Sequence, residues 1–206
     1  MTNNCPLVWI VMGVSGSGKS LVGRRLAQHL ECDFLEGDRR HSPANIAKMQ
    51  AHMPLNDGDR RQWLLDMEAD IQRAIALHRE TVLTCSALKR AYRTQLAGPG
   101  RVQLVWLNVP QAELERRLTS RLDHYMQPAM LHSQLAAFES VASEEAVITV
   151  DGQLAPDDIV DQVLMQAIAQ FPGLKKTWWQ RMTEELNEPT EHPKSLAAIH
   201  RNPLWM

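Results

Sequence analysis

Cysteine is scarce in this sequence. The three cysteines, Cys5, Cys32 and Cys85, are odd in number and far apart, which argues against a disulfide framework and any C-x-x-C pair. The eight histidines show no H-E-x-x-H or similar ligand spacing, so a structural zinc site is not expected. This composition suits a reducing compartment, and we expect a cytoplasmic protein.

Long apolar runs and a strong charge of either sign are also lacking. The longest apolar runs are strand-sized and interrupted by polar residues, so no membrane span is predicted. Residues 1–4 have neither the basic region nor the apolar segment of a secretory signal. A net charge of −2 and a pI near 6.4 give no electrostatic reason to expect nucleic acid or a membrane as a partner.

What the sequence does have is a complete phosphate-loop pattern, G-x-x-x-x-G-K-[ST], between an apolar run and a helical stretch. Glycines let the backbone wrap around a phosphate with its N–H groups pointing inward at a helix N-terminus. The lysine reaches the terminal phosphates, and the final hydroxyl is placed to bind Mg²⁺. A glycine-rich turn without a ligand is the weaker alternative. The pattern predicts a nucleotide phosphate site made of Gly13, Val14, Ser15, Gly16, Ser17, Gly18, Lys19 and Ser20.

Apolar runs alternate with helical patterns along the chain. This order is typical of α/β proteins and predicts a five-stranded parallel sheet. Pro172 and Gly173 follow the last helical pattern, so we predict one domain over 1–171 and a C-terminal extension over 172–206. The predicted strands are 7–12, 32–35, 81–85, 102–107 and 146–150, and the main predicted helices are 21–30, 63–77, 112–122, 129–141 and 157–171.

Polar residues follow the second and third predicted strands. Because ligands bind beyond the carboxyl ends of parallel strands, Asp38 is expected beside the phosphate loop; the alternative is a turn former or helix cap. Segment 39–62 is rich in charge and is either a solvated helical insertion or the wall of a pocket for an anionic small molecule. Lys89, Arg90 and Arg93 either face solvent or reach an anionic group.

Two further features concern the nucleotide. Arg117 and Arg121 are four residues apart on a predicted helix and so share a face. They form either a solvated basic stripe or part of a lid that folds over transferring phosphates. Asp151, directly after the fifth strand, looks like a magnesium-binding acid but comes last in the strand series. We interpret it as a loop residue near the nucleotide base, with metal binding as the lesser alternative.

Several motifs together resemble those of the gluconokinases, small phosphate-loop kinases that make 6-phosphogluconate from gluconate and ATP. The similarity covers nearly all of residues 7–170. Its most specific piece is Cys85-Ser86-Ala87-Leu88-Lys89 with Tyr92-Arg93, and the whole set distinguishes the chain from shikimate and nucleoside monophosphate kinases. The other matching segments are Met12 to Ser20, Gly37-Asp38, His41, Pro43, Asn45-Ile46, Lys48-Met49, Pro54 to Asp57, Asp59-Arg60, Trp63-Leu64, and the lid residues Arg117, Arg121, His124 and Gln134.

The resemblance implies a three-layer α/β/α P-loop kinase fold with a helical substrate-binding insertion and a lid. It also implies ATP and Mg²⁺ as cofactors, gluconate as substrate and a homodimer. Lys19 and the loop amides would bind the β- and γ-phosphates, Arg117 and Arg121 would close over them, and Ser20 would bind Mg²⁺. Asp38 would orient or deprotonate the acceptor hydroxyl, so the implied catalytic residues are Lys19, Asp38 and Arg121. The implied substrate-binding residues are Asp38, His41, Lys48, Arg60, Lys89 and Arg93.

The sequence departs from the family pattern at a few positions. Glu36 stands where the family usually has Asp, which leaves a carboxylate in place. In the lid, Asp123 replaces Gly, Tyr125 replaces Phe, and 138–141 replaces L-E-x-P, changes expected to affect closure and rate. The tail after Phe171 has no counterpart in the family.

Rival functions can be weighed from the same motifs. A GTPase would need N-K-x-D and D-x-x-G motifs, and neither occurs in the chain. The lid departures and the extra tail leave open a degenerate kinase that acts as a nucleotide-dependent binding protein. Within the kinases, a related sugar acid or shikimate is the alternative substrate.

The C-terminal extension contains Trp178, Trp179 and Trp205, half of the six tryptophans of the chain. Exposed tryptophans promote aggregation, so we predict that they dock on the domain or on a second subunit. Deleting 174–206 should therefore lower solubility or stability, or change the oligomeric state, as measured by light scattering and thermal unfolding. A truncated chain that matched the full chain in all three properties would contradict the prediction.

Overall fold

A parallel sheet of five strands, in the order β2-β3-β1-β4-β5, forms the centre of the computed structural model, which describes residues 6–120, 128–171 and 174. All four strand pairs are parallel, as the sequence predicted. The strand bounds differ from the prediction by no more than a residue at either end. The strands are β1 (Val8–Met12), β2 (Asp33–Glu36), β3 (Thr81–Cys85), β4 (Val102–Asn108) and β5 (Val147–Asp151).

The helices follow the predicted order, with one addition directly after β3 and two in the charged segment 39–62. That segment contains a short helix and the first turn of the next one, so it is a helical insertion. Asn56 explains the early start of the second helix, since its side chain accepts from Asp59 N while the Asp59 carboxylate accepts from Asn56 N. The helices are α1 (Lys19–His29), α2 (Pro43–Gln50), α3 (Asp57–Ala76), α4 (Arg90–Ala97), α5 (Gln111–Thr119), α6 (Pro128–Ala137) and α7 (Pro156–Gln170), and a 3₁₀ turn spans Gly37–Arg40.

Two apolar cores lie on opposite faces of the sheet and make the fold three-layered. Because successive strand residues point to opposite faces, Trp9 and Val11 of β1 pack with α1 and α7, while Ile10 and Met12 pack with α3 and α4. Every residue of β1 is 0% exposed, which is why this strand reads as a continuous apolar run. Among the helices described here, none has the length and apolar character needed to cross a bilayer.

A third, smaller apolar cluster joins the insertion and the lid side to the phosphate loop. Val14 of the loop is buried in it together with Leu55, Leu118 and Leu131. Met49 of α2, Leu88 and Leu114 complete the cluster. The helices α2, α5 and α6 are therefore held against the loop by apolar packing.

The strand register brings three connecting segments to one edge of the sheet. Met12 lies opposite Cys85, and Glu36 lies opposite Thr84, so the chain leaves β1, β2 and β3 at the same level. The backbone of Gly37 lies very close to β3, so that an added Cβ would be 2.1 Å from the Thr84 carbonyl oxygen. No residue with a side chain fits at this position without moving the backbone.

Arg93 is a structural residue, which corrects the prediction that it binds substrate. Its side chain is 0% exposed, and its Nε and Nη2 donate to the two oxygens of Glu145 at 2.6 and 2.8 Å. The remaining N–H groups donate to the carbonyl oxygens of Ala87, Leu88, Glu139 and Ser140. All of its donors are occupied, and together they tie α4 to the segment that precedes β5.

The Arg93–Glu145 pair should make stability depend on pH. Hydrogen bonds from Arg93 lower the pKa of Glu145 from 4.5 to about 2. Because the pKa is lower in the folded state, the stabilisation is complete above the unfolded value and is lost as the pH falls toward 2. Glu145→Gln should therefore lower the free energy of unfolding at pH 7 by about 3 kcal/mol, since it leaves a buried guanidinium without its counter-charge. Urea denaturation measures this loss, which should shrink at acidic pH where the wild-type carboxylate also protonates.

A neighbouring ion pair provides the matched control. Glu144 pairs with Arg90 at 2.8 Å, but the two side chains are 59% and 52% exposed. Glu144→Gln should lower the free energy of unfolding far less than Glu145→Gln does, because exposed pairs contribute little. Equal losses in the two variants would refute a special role for the buried pair.

Candidate functional site

The phosphate loop lies between β1 and α1, at the edge of the sheet where β1 to β3 end. Gly16 and Gly18 have φ values of 83° and 96°, in the left-handed region that glycine adopts without strain. Gly18 is the N-cap of α1 and has no side chain to satisfy the helix N–H groups. The Lys19 Nζ folds back over the loop and donates to the Val14 carbonyl at 3.0 Å. The loop therefore presents backbone donors and one ammonium group at a helix N-terminus, which is an anion-binding arrangement.

A cavity of about 730 Å³ elsewhere does not involve this loop. It runs along β2 and is lined by residues such as Arg24, Phe34 and Arg40. Arg24 and Arg40 are paired with Glu36 and Asp70 respectively. Size alone therefore does not identify the functional site.

The cavity next to the phosphate loop has a volume of about 580 Å³, within the range of small-molecule sites. It is lined by the loop and by the exposed Ser20 of α1, and also by the apolar residues Leu154, Pro156 and Ile159. The polar part of the lining suits phosphates and the apolar part suits a flat base.

Arg117 is fixed on the flank of this cavity. Its Nε donates to Glu113 Oε1 at 2.7 Å, and its Nη2 donates to the Gly152 carbonyl at 2.9 Å. Hydrogen bonds from Arg116 and Arg117 lower the pKa of Glu113 to about 2, so this carboxylate is ionised at neutral pH. The Arg117 guanidinium thus faces the nucleotide cavity in a set orientation. Arg121, Asp123, His124 and Tyr125 lie outside the described residues, and the lid role of Arg121 stays a prediction.

Asp151 shapes the turn beside the same cavity. It is the last residue of β5, not a loop residue, and its Oδ1 accepts from Gln153 N at 2.9 Å. The neighbouring Gly152, and not Asp151, lines the cavity. The Asp151 carboxylate therefore organises the turn from which Gly152 reaches Arg117.

A second, smaller cavity of about 50 Å³ adjoins the first. Ser15, Lys19 and Asp38 line both cavities, so the lysine and the carboxylate stand at the boundary between them. The structure thus brings together five predicted site residues, since His41 and Arg60 line the smaller cavity as well. The remaining lining residues are Met49, Pro54, Leu55, Ser86, Ser133 and Gln134.

His41 contributes a buried ring to the smaller cavity. The ring is stacked on Trp63, with centroids 4.4 Å apart and an interplanar angle of 14°. Burial lowers the pKa of His41, the Asp38 charge opposes that shift, and Arg60 adds to it. The buried Nδ1 has no hydrogen-bond partner among the described residues, so it is available to a ligand hydroxyl.

Two other predicted cations, Lys48 and Lys89, do not line the smaller cavity, and their assignment to the substrate stays a prediction. Lys48 Nζ lies 2.5 Å from Asp59 Oδ1, and Lys89 Nζ donates to both oxygens of Asp57 at 2.8 and 2.7 Å. These hydrogen bonds lower the pKa values of Asp57 and Asp59. Both lysines therefore bind the acidic first turn of α3 and stabilise the wall behind the cavity.

The contacts that some residues make at the site were not predicted from the sequence. Gln134 Oε1 accepts from Ser15 N at 2.7 Å and so connects α6 to the phosphate loop. Gln134 belongs to a family motif, but its partner is not apparent from the sequence. The structural role of Asp59, which pairs with Lys48, could have been predicted in part, because Asn56 and Asp59 have the spacing of a capping box.

Comparison with known proteins is consistent with this geometry. The AAA domain family matches residues 8–143. A gluconokinase of Gluconobacter oxydans (strain 621H) is 41% identical over 160 residues, which are 77% of this chain and 90% of the relative.

Two solved structures are similar to this chain over most of their length. The crystal structure of a gluconokinase from Sinorhizobium meliloti 1021 has a TM-score of 0.74 at 33% identity and covers 86% of this chain and 99% of its own. An unliganded sugar kinase from Janibacter sp. HTCC2649 has a TM-score of 0.74 at 35% identity, over 78% of this chain and 93% of its own. Since the similarity extends over most of each relative and far beyond the phosphate loop, the chain belongs to the gluconokinase family.

Proposed function

We propose that this protein catalyses transfer of the γ-phosphoryl group of ATP to the terminal hydroxyl of gluconate, giving 6-phosphogluconate. The observation that carries the proposal is the position of Lys19 and Asp38 between a nucleotide-sized cavity and a small polar cavity. A phosphoryl donor in the first cavity and an acceptor in the second would meet at these two side chains. The relatives named gluconokinase favour gluconate as the acceptor.

The donor side is explained by the loop. Phosphoryl transfer has a loose transition state, so the protein acts mainly by positioning the reactants and neutralising charge. The loop N–H groups and Lys19 would bind the β- and γ-phosphates, with Lys19 Nζ exchanging the Val14 carbonyl for phosphate oxygens. Arg117 would bind on the flank, and Arg121 is assigned to the lid above the transferring group.

The residues at the donor cavity also fit Mg²⁺. The Ser20 hydroxyl is exposed in the first turn of α1 and faces the cavity, and the described residues contain no cluster of three or more His, Cys, Asp or Glu side chains. Such a site matches Mg²⁺ held by one hydroxyl, phosphate oxygens and water. When bound, Mg²⁺ would neutralise part of the phosphate charge.

The acceptor side is assigned to Asp38, His41 and Arg60. Asp38 would orient or deprotonate the attacking hydroxyl, His41 would hydrogen-bond a further hydroxyl, and Arg60 would bind the carboxylate as a bidentate donor. A cavity of about 50 Å³ has room for little more than one or two water molecules, and a six-carbon acid is several times larger. Binding would therefore require the cavity to enlarge, and exchange of the Gln134–Ser15 hydrogen bond would free one of its walls.

The boundaries of the catalytic unit and its assembly are part of the proposal. We assign the kinase domain to 1–171, which is supported by the end of α7 at Gln170. The extension 172–206 lies outside the described residues except for Leu174, which packs against the core on the α1–α7 face. A homodimer is proposed on the family resemblance and the tryptophans of the extension.

Substrate choice is tested by measuring ADP release over a panel of aldonic acids, with shikimate included. We expect turnover with gluconate to exceed that with the other acids, because the acceptor hydroxyl must reach Asp38 while the carboxylate reaches Arg60. Lys19→Ala should abolish transfer to every acid and serves as the background. If another sugar acid were turned over selectively, that acid would replace gluconate as the proposed substrate. If none of the acids were turned over, the result would favour a degenerate kinase that only binds nucleotide.

The role of Asp38 is tested by Asp38→Asn. The amide cannot accept the hydroxyl proton, so kcat should fall by about two orders of magnitude or more while the Kd for ATP, measured by calorimetry, stays the same. Asp33→Asn is the matched control, because Asp33 begins β2, the strand that leads into the Asp38 turn, but pairs with the exposed Arg79. Normal turnover of Asp38→Asn would remove Asp38 from the mechanism.

A further inference from the structure

The turn that carries Asp38 is held at both ends by one side chain of α3. Trp63 Nε1 donates to the Gly37 carbonyl at 2.8 Å, immediately before Asp38. The face of the same indole stacks on His41, immediately after the turn. Trp63 is only 2% exposed, so its own position is set by packing in the core between the sheet and α3.

The strand next to the turn provides a second point of attachment. Gly37 N donates to Thr84 Oγ1 at 3.3 Å, and the Thr84 hydroxyl donates to Glu36 Oε1 at 2.5 Å. Both polar groups of the Gly37 backbone are therefore bound by buried side chains, from α3 on one side and β3 on the other. Gly37 cannot shift toward β3, because it already lies against the Thr84 carbonyl.

We propose that Trp63 is a positioning residue, which with Thr84 clamps Gly37 and thereby sets the distance from the Asp38 carboxylate to the phosphate loop. This inference rests on the proposed function, in which Asp38 acts on the acceptor hydroxyl. If Trp63 only stabilised the fold, its burial in the core would be enough. Trp63 also hydrogen-bonds the residue before Asp38 and stacks on His41, which lines the acceptor cavity, and these two contacts point to positioning.

The clamp has a kinetic consequence because phosphoryl transfer depends on alignment. Displacement of a catalytic group by about 1 Å can lower the rate by about 100-fold even when the mutated residue touches no substrate. Loss of the indole donor frees the Gly37 carbonyl and leaves Thr84 as the remaining attachment. Turnover should then fall, while ATP binding at the loop, which does not involve Trp63, should stay the same.

Trp63→Phe tests the clamp, because it removes the indole N–H and retains an aromatic ring for His41. We expect kcat for gluconate phosphorylation to fall about 10-fold, with the KM for ATP within about twofold of wild type. Trp9→Phe is the matched control: Trp9 is also buried, its Nε1 donates to Glu80 Oε1 at 3.0 Å, and it packs in the core on the opposite face of the sheet from Trp63. It should leave kcat within about twofold, even where the two variants lose similar stability in urea denaturation.

A double-mutant cycle separates positioning from general loosening. If Trp63 acts through Asp38, Trp63→Phe should have no further effect on kcat in the Asp38→Asn background. A 10-fold loss that persists in that background, or an unchanged kcat in the single variant, would overturn the inference. The activity of the wild type and its loss in Asp38→Asn test the proposed function itself. Failure of the proposed function can therefore be distinguished from failure of the positioning role of Trp63.

Thr84 provides a second pair of variants should Trp63→Phe not fold. Thr84→Ser retains the hydroxyl that accepts from Gly37 N, whereas Thr84→Val removes it. The valine variant should lower kcat about 10-fold and the serine variant should remain within about twofold of wild type. Equal activity of the two variants would contradict the clamp.

Discussion

The parallel register of β2, β3 and β1 is the constraint on which the site depends. Neighbouring strands are about 4.8 Å apart, so strands that end at the same level deliver their connecting segments to one small region. Met12 opposite Cys85 and Glu36 opposite Thr84 place the phosphate loop, the Asp38 turn and the segment after β3 side by side. Because the sheet is buried on both faces, it cannot adjust this spacing cheaply. The relative positions of the proposed donor and acceptor sites are therefore set by the backbone of the sheet.

Charge around the site is arranged by local compensation. The insertion and the segment after β3 contain many cations, but Lys48, Lys89 and Arg93 are each bound to a carboxylate within the protein. Arg93 is fully buried, so leaving it unpaired would be costly, whereas the two lysine pairs are partly exposed and contribute less. Lys19 and Arg60 are the cations that line the small cavity. Positive charge is thus concentrated where an anionic acceptor would meet the terminal phosphate.

Closure of the site depends on a different kind of contact. The helices α2, α5 and α6 meet the loop through one apolar cluster, and α6 adds the Gln134–Ser15 hydrogen bond. Apolar packing is not directional, whereas a hydrogen bond to a loop amide is easily exchanged for one to a ligand or to water. This combination suits a lid side that moves while the sheet and the Gly37 clamp remain rigid.

Local patterns in the sequence determined the strands, the phosphate loop and the place of Asp38. A buried strand shows as a continuous apolar run, a phosphate loop shows in its glycines and lysine, and a residue after a strand is placed by topology. Arg93 was misassigned and the part of Trp63 in the clamp was missed, because their partners are distant in sequence: Glu145 is 52 residues from Arg93, and Gly37 is 26 residues from Trp63. The sequence by itself therefore determined which backbone segments form the site and which chemistry they offer. Only the tertiary structure decided which cations are paired within the protein, which of them line the small cavity and which side chains hold the Asp38 turn, because ion pairing and indole hydrogen bonding depend on the packing of α3 and α4 against the sheet.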